Sequence, residues 1–375
     1  MKQDSNFSVA VFALMGTIIG AGFLGIPYVV MKSGFSLGLL NMIAIAAIII
    51  ISMLYLGEVT LRTKSIHQLP GYAEKYLGKI GKKTMFVVAS FGVYAALTAY
   101  LIAQGESISQ LLFGSAQYAV YMSFAFWFVM SLISYSGISA LKKGEPLGIM
   151  LMFAMVLSIS ILLINKINFE NLAYLDFRHA FTPLGVVIFA FLGFTAIPEM
   201  KRILINEKHL MKRSIITACL ISLLVYIVFT FFVLGYKGFD TPEIATIALG
   251  IPFIILAMIT MFNAYLSHSI VMIDTFRFDY NKKKERAWLY TISIPIIALV
   301  ILKLFNQANF ITVMSIGGLI SGGLTAILIL LMVKKAKLHG ERRPEYSIPY
   351  SNALIWIISA ILVLGVIFEV KKLMG

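Results

Sequence analysis

Long apolar stretches follow one another along this chain, separated by short clusters of charge and turn residues. Each stretch approaches the ~20 residues a helix needs to cross the hydrocarbon of a bilayer. Read this way, the sequence predicts eleven spans, near 7–31, 35–61, 84–112, 116–138, 146–165, 180–204, 212–236, 250–276, 286–304, 309–333 and 351–370. Residues 67–81, HQLPGYAEKYLGKIG, carry a different pattern: Pro70 opens the segment, and Tyr72, Tyr76 and Ile80 recur every four residues. That spacing predicts an amphipathic helix lying along the membrane surface. The loop 241–249, TPEIATIAL, also has a proline-started helical pattern.

Two spans are built to come apart. In the first, Gly16-Thr17-Ile18-Ile19-Gly20-Ala21-Gly22 places three glycines within seven residues, and Pro27 follows. Each glycine is less favourable in a helix than alanine by about 1 kcal/mol, and the proline removes one more backbone donor. In the sixth, Gly193 and Pro198 interrupt an apolar run, with Thr195 between them placed to cap a second half-helix. Unpaired backbone groups at membrane depth survive only where protein or a polar cavity surrounds them. Two breaks five spans apart enter the membrane from opposite sides, the pattern of an inverted-topology repeat. The expected architecture is therefore all-α, a single transmembrane domain over 1–375, with repeats at about 7–166 and 180–333 and an added helix at 351–370.

Composition agrees with this reading and adds an orientation. The 375 residues are 60% hydrophobic and 13% charged, with a mean hydropathy of +0.92, which excludes an ordinary soluble domain. A net charge of +14 would suggest nucleic acid in a soluble protein, but here it alternates along the chain. With the N-terminus inside, 24 of the 31 basic residues fall on inner segments and seven on outer ones. The positive-inside rule then puts the N-terminus in the cytoplasm and the C-terminus outside. Met1–Ser8 holds one lysine before a long, glycine-punctuated apolar stretch, so no signal peptide is expected. The lone Cys219 lies in an apolar run and reads as core packing.

The segment Gly16–Pro27, GTIIGAGFLGIP, closely resembles the first-helix signature of the hydroxy/aromatic amino-acid permeases and the related amino-acid/auxin permeases. Residues 189–199, FAFLGFTAIPE, resemble their sixth helix, with weaker likeness at 94–105 and 274–279. These families belong to the amino acid–polyamine–organocation superfamily. The resemblance therefore implies a LeuT-type 5+5 inverted repeat with broken helices 1 and 6, plus an eleventh helix.

A zwitterionic amino acid brings two charges into such a break. Amides of Gly20, Ala21 and Gly22 start the second half of span one, where a helix dipole favours a carboxylate. Carbonyls ending the first halves, at Ile18 and near Ala190 to Gly193, suit an ammonium group. Thr17 lies in the same break. Tyr94 and Thr98 share a helical face, and Tyr100 sits a turn and a half beyond Tyr94; their hydroxyls meet the substrate or pack as part of an aromatic layer. The resemblance implies that Phe189 is an aromatic lid, with Phe191 and Phe194 as wall or packing residues. It also matches the sodium-site carbonyls of relatives to Gly16 and Ile19, and the paired hydroxyl side chains of their helix eight to Asn263-Ala264. Both hydroxyls are absent here, although Asn263 offers one oxygen.

Protons are then the simpler coupling ion, with Glu106 and Glu199 as the intramembrane candidates. Glu58 and Asp274 instead have Arg62 and Arg277 in helical reach, and His268 lies in span eight. The glycine pairs 317–318 and 322–323, with Ser315 and Ser321, give span ten a small-residue face for close packing or for sliding. No metal-ligand cluster, no nucleophile with a nearby histidine and no nucleotide loop is present, so the chain does not read as an enzyme, and no cofactor is expected. The expected activity is secondary active transport of neutral L-amino acids, large or aromatic ones among them, across the cytoplasmic membrane of a prokaryote by proton-coupled alternating access. A membrane sensor on the same fold, or a sodium-coupled carrier of another small nitrogenous solute, is the alternative.

Overall fold

A computed structural model describes residues 3–136 and 145–374. Those residues form fifteen α-helices, joined by short 3-10 and π segments, and include no strand. In chain order the helices are α1 (Gln3–Ile18), α2 (Ile26–Ser33), α3 (Phe35–Arg62), α4 (Leu69–Phe113), α5 (Ala119–Ser136), α6 (Glu145–Leu163), α7 (Glu170–Ala173), α8 (Pro183–Ala190), α9 (Ile197–Ile203), α10 (Met211–Lys237), α11 (Ile251–Asp274), α12 (Lys284–Leu304), α13 (Phe310–Gly317), α14 (Leu324–His339) and α15 (Asn352–Met374). Among the described residues, ten helices are long and apolar enough to cross a membrane. The bent pair formed by α1 and α2 supplies an eleventh span. This is a multi-pass membrane protein. Lys2, Lys142 and Lys143, which the charge count places on the inner side, lie outside the described residues.

Burial is uneven in a way that locates the interior. The span containing α8 and α9 is 83% buried over its most apolar stretch, whereas α15 is 17% buried. Broken span six is thus the centre of the bundle and the last helix its periphery. Cys219 packs in the core, its Sγ 3.6 Å from the Met53 sulfur.

Three elements depart from the expected layout. The surface helix and span three are joined as α4, with a corner at Gly78, where φ is +75° and ψ −168°. Tyr72 and Tyr76 pack inward as their spacing predicts, but Ile80 is 80% exposed. The positive φ at Gly78 turns the following residues off the face that Tyr72 and Tyr76 share, and glycine tolerates that φ without steric cost. In the loop 241–249 only a 3-10 turn forms, at Ala245–Leu249. Span ten is interrupted by a π segment, Gly318–Gly323, between α13 and α14. Its glycines do pack closely: a Cβ on Gly318 would lie 2.7 Å from the Phe189 nitrogen, and one on Gly317 would lie 2.7 Å from the Ala95 Cβ.

The C-terminal ends of α3 and α14 are fastened through one carboxylate. Glu58 is fully buried and accepts from Arg62 (2.9 Å), Lys337 (2.7 Å), the Ser347 hydroxyl (2.8 Å) and the Ile348 amide (3.0 Å). Residues 340–351 run between α14 and α15 as an extended strap along α3. Tyr346 donates to the Leu54 carbonyl, and Tyr55 donates to that of Pro349, both at 2.7 Å. Glu341 on the strap accepts from Lys75 (2.5 Å) and from the Lys64 amide (2.7 Å), and both partners hold its carboxyl below the usual carboxylate range.

Candidate functional site

The first span breaks where the glycines are densest. α1 ends at Ile18, Ile19 and Gly20 form a bend, and a 3-10 turn (Ala21–Gly25) leads into α2. The axis turns by 49°. Pro27 sits in the first turn of α2, where a missing N–H costs least. The sixth span breaks over Phe191–Gly193; a 3-10 turn (Phe194–Ala196) then starts α9, with Pro198 in its first turn. Thr195 is not a cap. Gly193 and Ala196 hold the N-cap positions of these two elements, neither with a side-chain cap, and Thr195 is exposed.

The two breaks nest in each other. A Cβ on Gly22 would fall 2.8 Å from the Ala190 Cα, and one on Gly193 would fall 2.6 Å from the Ile18 side chain. Each interruption therefore receives the other span at a point where only glycine fits.

Beside this crossing lies a hollow of about 670 Å³, counting its open part. Thr17, Ile18, Gly20 and Gly22 line it from span one, and Phe189, Leu192, Phe194 and Thr195 from span six. α4 contributes Ala89, Gly92, Val93, Ala96 and Tyr100, whose spacing of three and four marks one helical face. His268 of α11, Ser321 of the π segment and Thr325 of α14 complete the wall. The hollow extends toward Leu69, at the end of the bundle that carries the surface helix.

Tyrosine hydroxyls hold the backbone groups bared by the breaks. The Tyr100 hydroxyl lies beside the Ala21 amide and stands 2.8 Å from where a Gly20 Cβ would be. The Tyr226 hydroxyl, from α10, lies 3.0 Å from the Ile18 carbonyl oxygen and 2.8 Å from that of Ala190. The His268 ring meets Tyr100 edge to face at 5.8 Å, and its Nδ1 is 2.8 Å from the Ala264 carbonyl. A carbonyl only accepts, so Nδ1 carries a proton, and in the neutral ring Nε2 is an acceptor.

Of the substrate candidates, Thr17, Ile18, Gly20, Gly22, Phe189 and Thr195 thus come together around the hollow. Ala21, Ala190 and Gly193 belong to the breaks without lining it. Phe191 is fully buried and packs edge to face on Tyr226 at 5.1 Å. Tyr94 points elsewhere, its hydroxyl 3.3 Å from the Tyr290 carbonyl on α12, and Thr98 is buried with its hydroxyl on the Tyr94 carbonyl. Sequence reasoning passed over Tyr226 and the α4 row of Ala89, Gly92 and Ala96, although three small residues at helical spacing leading to Tyr100 were there to be read.

The ion-coupling candidates are dispersed. Gly16 faces Ile149 of α6. Ile19 lies in the bend of span one, its amide on the Met15 carbonyl at 2.7 Å. Asn263 is half-buried on α11 and does not line the hollow. Glu106, near the far end of α4, has Glu243 and Lys303 as charged neighbours. Glu199 is exposed in the first turn of α9. Glu58 pairs with Arg62 as its spacing predicts, and Asp274 stands 3.8 Å from Arg277. Among the described residues, no group of three or more His, Cys, Asp or Glu side chains is placed to hold a metal ion.

Comparison with known proteins adds two relatives and a family. The chain is 26% identical over 219 residues to tyrosine-specific transport system 1 of Haemophilus influenzae, covering 56% of this chain and 53% of the relative. It is 24% identical over 229 residues to glutamine transporter 2 of Aliivibrio fischeri, covering 59% of each. The match thus spans little more than half the length of these curated relatives. The family model described as the tryptophan/tyrosine permease family matches residues 3–250, a stretch containing both breaks and most of the lining of the hollow. The chain belongs to the tryptophan/tyrosine permease family, whose members are transporters and not enzymes.

Proposed function

We propose that this chain is a secondary active transporter of neutral L-amino acids, large aromatic ones foremost, working by alternating access in the cytoplasmic membrane. The observation that carries this reading is the hollow at the crossing of two interrupted spans, walled by main chain, a tyrosine, a histidine and a phenylalanine. The main-chain amide at Gly22 suits a carboxylate, whereas that of Gly20 is turned onto the Ile18 carbonyl at 3.0 Å; the carbonyl end of α1 suits an ammonium group. Phe189, on the wall of the hollow, is the side chain to cover an aromatic substrate. The tyrosine carrier among the relatives favours that class, and the glutamine carrier keeps a smaller polar substrate in contention.

The fold we assign is a LeuT-type 5+5 inverted repeat, residues 7–166 against 180–333, with α15 as an addition. The basic residues favour a cytoplasmic N-terminus and an external C-terminus. In that orientation the hollow extends inward. The coupling ion we assign is the proton, because both hydroxyls of the expected sodium pair are replaced at Asn263-Ala264.

Purified protein in liposomes preloaded with unlabelled tyrosine is expected to accumulate labelled tyrosine by counterflow, with phenylalanine, tryptophan and glutamine as competitors. Binding without counterflow would make the protein a sensor instead. An imposed proton gradient is expected to drive uptake, and uptake that responds to sodium alone overturns the proton assignment.

A further inference from the structure

The ends of α1 and α8 present the same problem. Each stops at a main-chain carbonyl on the negative end of its helix dipole; that of Ile18 takes the Gly20 amide at 3.0 Å and keeps one lone pair. The Ile18 and Ala190 carbonyl oxygens lie 3.0 and 2.8 Å from one point, and that point is the Tyr226 hydroxyl. Two such oxygens, from two helix ends, are what a small monovalent cation seeks. Here a neutral group fills the place. Tyr226 is fully buried, its ring stacked on Phe23 with centroids 6.1 Å apart and met edge to face by Phe191 at 5.1 Å, so the hydroxyl is held where it is.

We propose that the Tyr226 hydroxyl is this chain's built-in substitute for a monovalent cation between the two half-helix ends. It acts as a positioning residue, tying the broken spans together from behind the hollow. The hydroxyl has one proton and faces two acceptors. At any moment it donates to one carbonyl, and the other keeps a lone pair for a positive group. Ile18 also lines the hollow, so an ammonium reaching its carbonyl leaves the hydroxyl proton to that of Ala190. The inference rests on the transporter reading only for what the ammonium belongs to; the link between the spans stands without it.

The test uses melting of the purified full-length protein, which needs no transport activity. Wild type is expected to melt at the same temperature in choline chloride and in sodium or lithium chloride. Tyr226→Ser takes the hydroxyl away from both carbonyls, leaving Ile18 only the Gly20 amide, and opens room where the ring stood; it is expected to melt lower by about 4 °C or more in choline. Sodium or lithium is expected to restore a substantial part of that loss, since an ion bound only to the folded state stabilises it. A Ser variant that melts with wild type, or that is lowered equally in every salt, overturns the proposal. Tyr226→Phe, whose ring tip leaves no room for an ion, is expected to be lowered alike in every salt, and its rescue by sodium overturns the proposal; failure of the Ser variant to fold in sodium overturns it as well. A packing role alone would lower melting without regard to the cation.

Discussion

The two interrupted spans solve one problem by different means. Span one bends by 49° over two residues, and glycine on both sides of the bend lets the main chain of one span touch that of the other. Span six loses its helical ladder over three residues, Phe191–Gly193, with phenylalanines on either side and a single glycine at the crossing. Span one is shaped by backbone approach; span six is shaped by side chains that fill the space around it. What opposes an added atom therefore differs. At Gly22 the obstacle is the Ala190 main chain, whereas at Gly193 it is the Ile18, Leu14 and Met53 side chains.

That contrast can be broken most forcefully at Gly22. Gly22→Ala sets a methyl 2.8 Å from the Ala190 Cα, and neither backbone can retreat without parting the spans. Overpacking of about 3 kcal/mol, or roughly 100-fold in tyrosine uptake, is expected. Gly193→Ala presses only on side chains and should cost less; equal losses from the two would show the obstacles to be equivalent.

Anchoring of the second half of span six is the next lever. Lys201 of α9 is 3% exposed, and its ammonium donates to the Thr63 and Ser65 carbonyls at 2.7 and 2.9 Å. Lys201→Met strips both carbonyls of this donor, a loss of about 1–3 kcal/mol that thermal unfolding would register. An unchanged melting temperature would show that α9 is held by packing alone.

Gly20→Ala sharpens the same comparison within span one. Its methyl would meet the tip of Tyr100 rather than main chain, so an uptake loss of roughly tenfold or less is expected, about 1 kcal/mol. A loss as large as that at Gly22 would mean that the tyrosine hydroxyl cannot move.

The smallest effect belongs to Glu341, which holds the Lys64 amide next to the carbonyls that anchor Lys201. Its folded carboxyl titrates below its usual value, owing first to Lys75 and then to that amide. The tie is thus fully present above the ordinary glutamate range, near pH ~4.3, and is lost as pH falls through the lowered folded value. Hydrogen exchange in residues 340–351 should quicken, after correction for the intrinsic rate, between mildly acidic and strongly acidic buffer. In Glu341→Gln that step should be absent.

Much of this architecture was legible because lipid and water impose such different demands. Apolar length and charge clusters mark the spans, and three glycines in seven residues mark the bend of span one. The site was harder to read. Tyr94, Thr98 and Tyr100 were all plausible on α4, and only the tertiary packing selects the face of Ala89, Gly92, Ala96 and Tyr100. Tyr226 is one tyrosine in an unbroken apolar run, with no periodic partner to signal that its hydroxyl bridges two distant segments. The π segment of span ten escaped because glycine pairs suit close α-helical packing equally well. Gly78 shows how one backbone angle defeats periodicity, since the every-fourth-residue pattern carried Ile80 with it.

The Glu58 carboxylate limits which parts of the molecule can shift independently. Pulling α3 away from α14 and the strap would strip the buried carboxylate of Lys337, Ser347 and the Ile348 amide and leave it Arg62 alone, a cost of several kcal/mol. These helix ends must travel as one block, and any rearrangement that opens or closes the hollow has to be borne by the half-helices, whose joints are already free of that constraint.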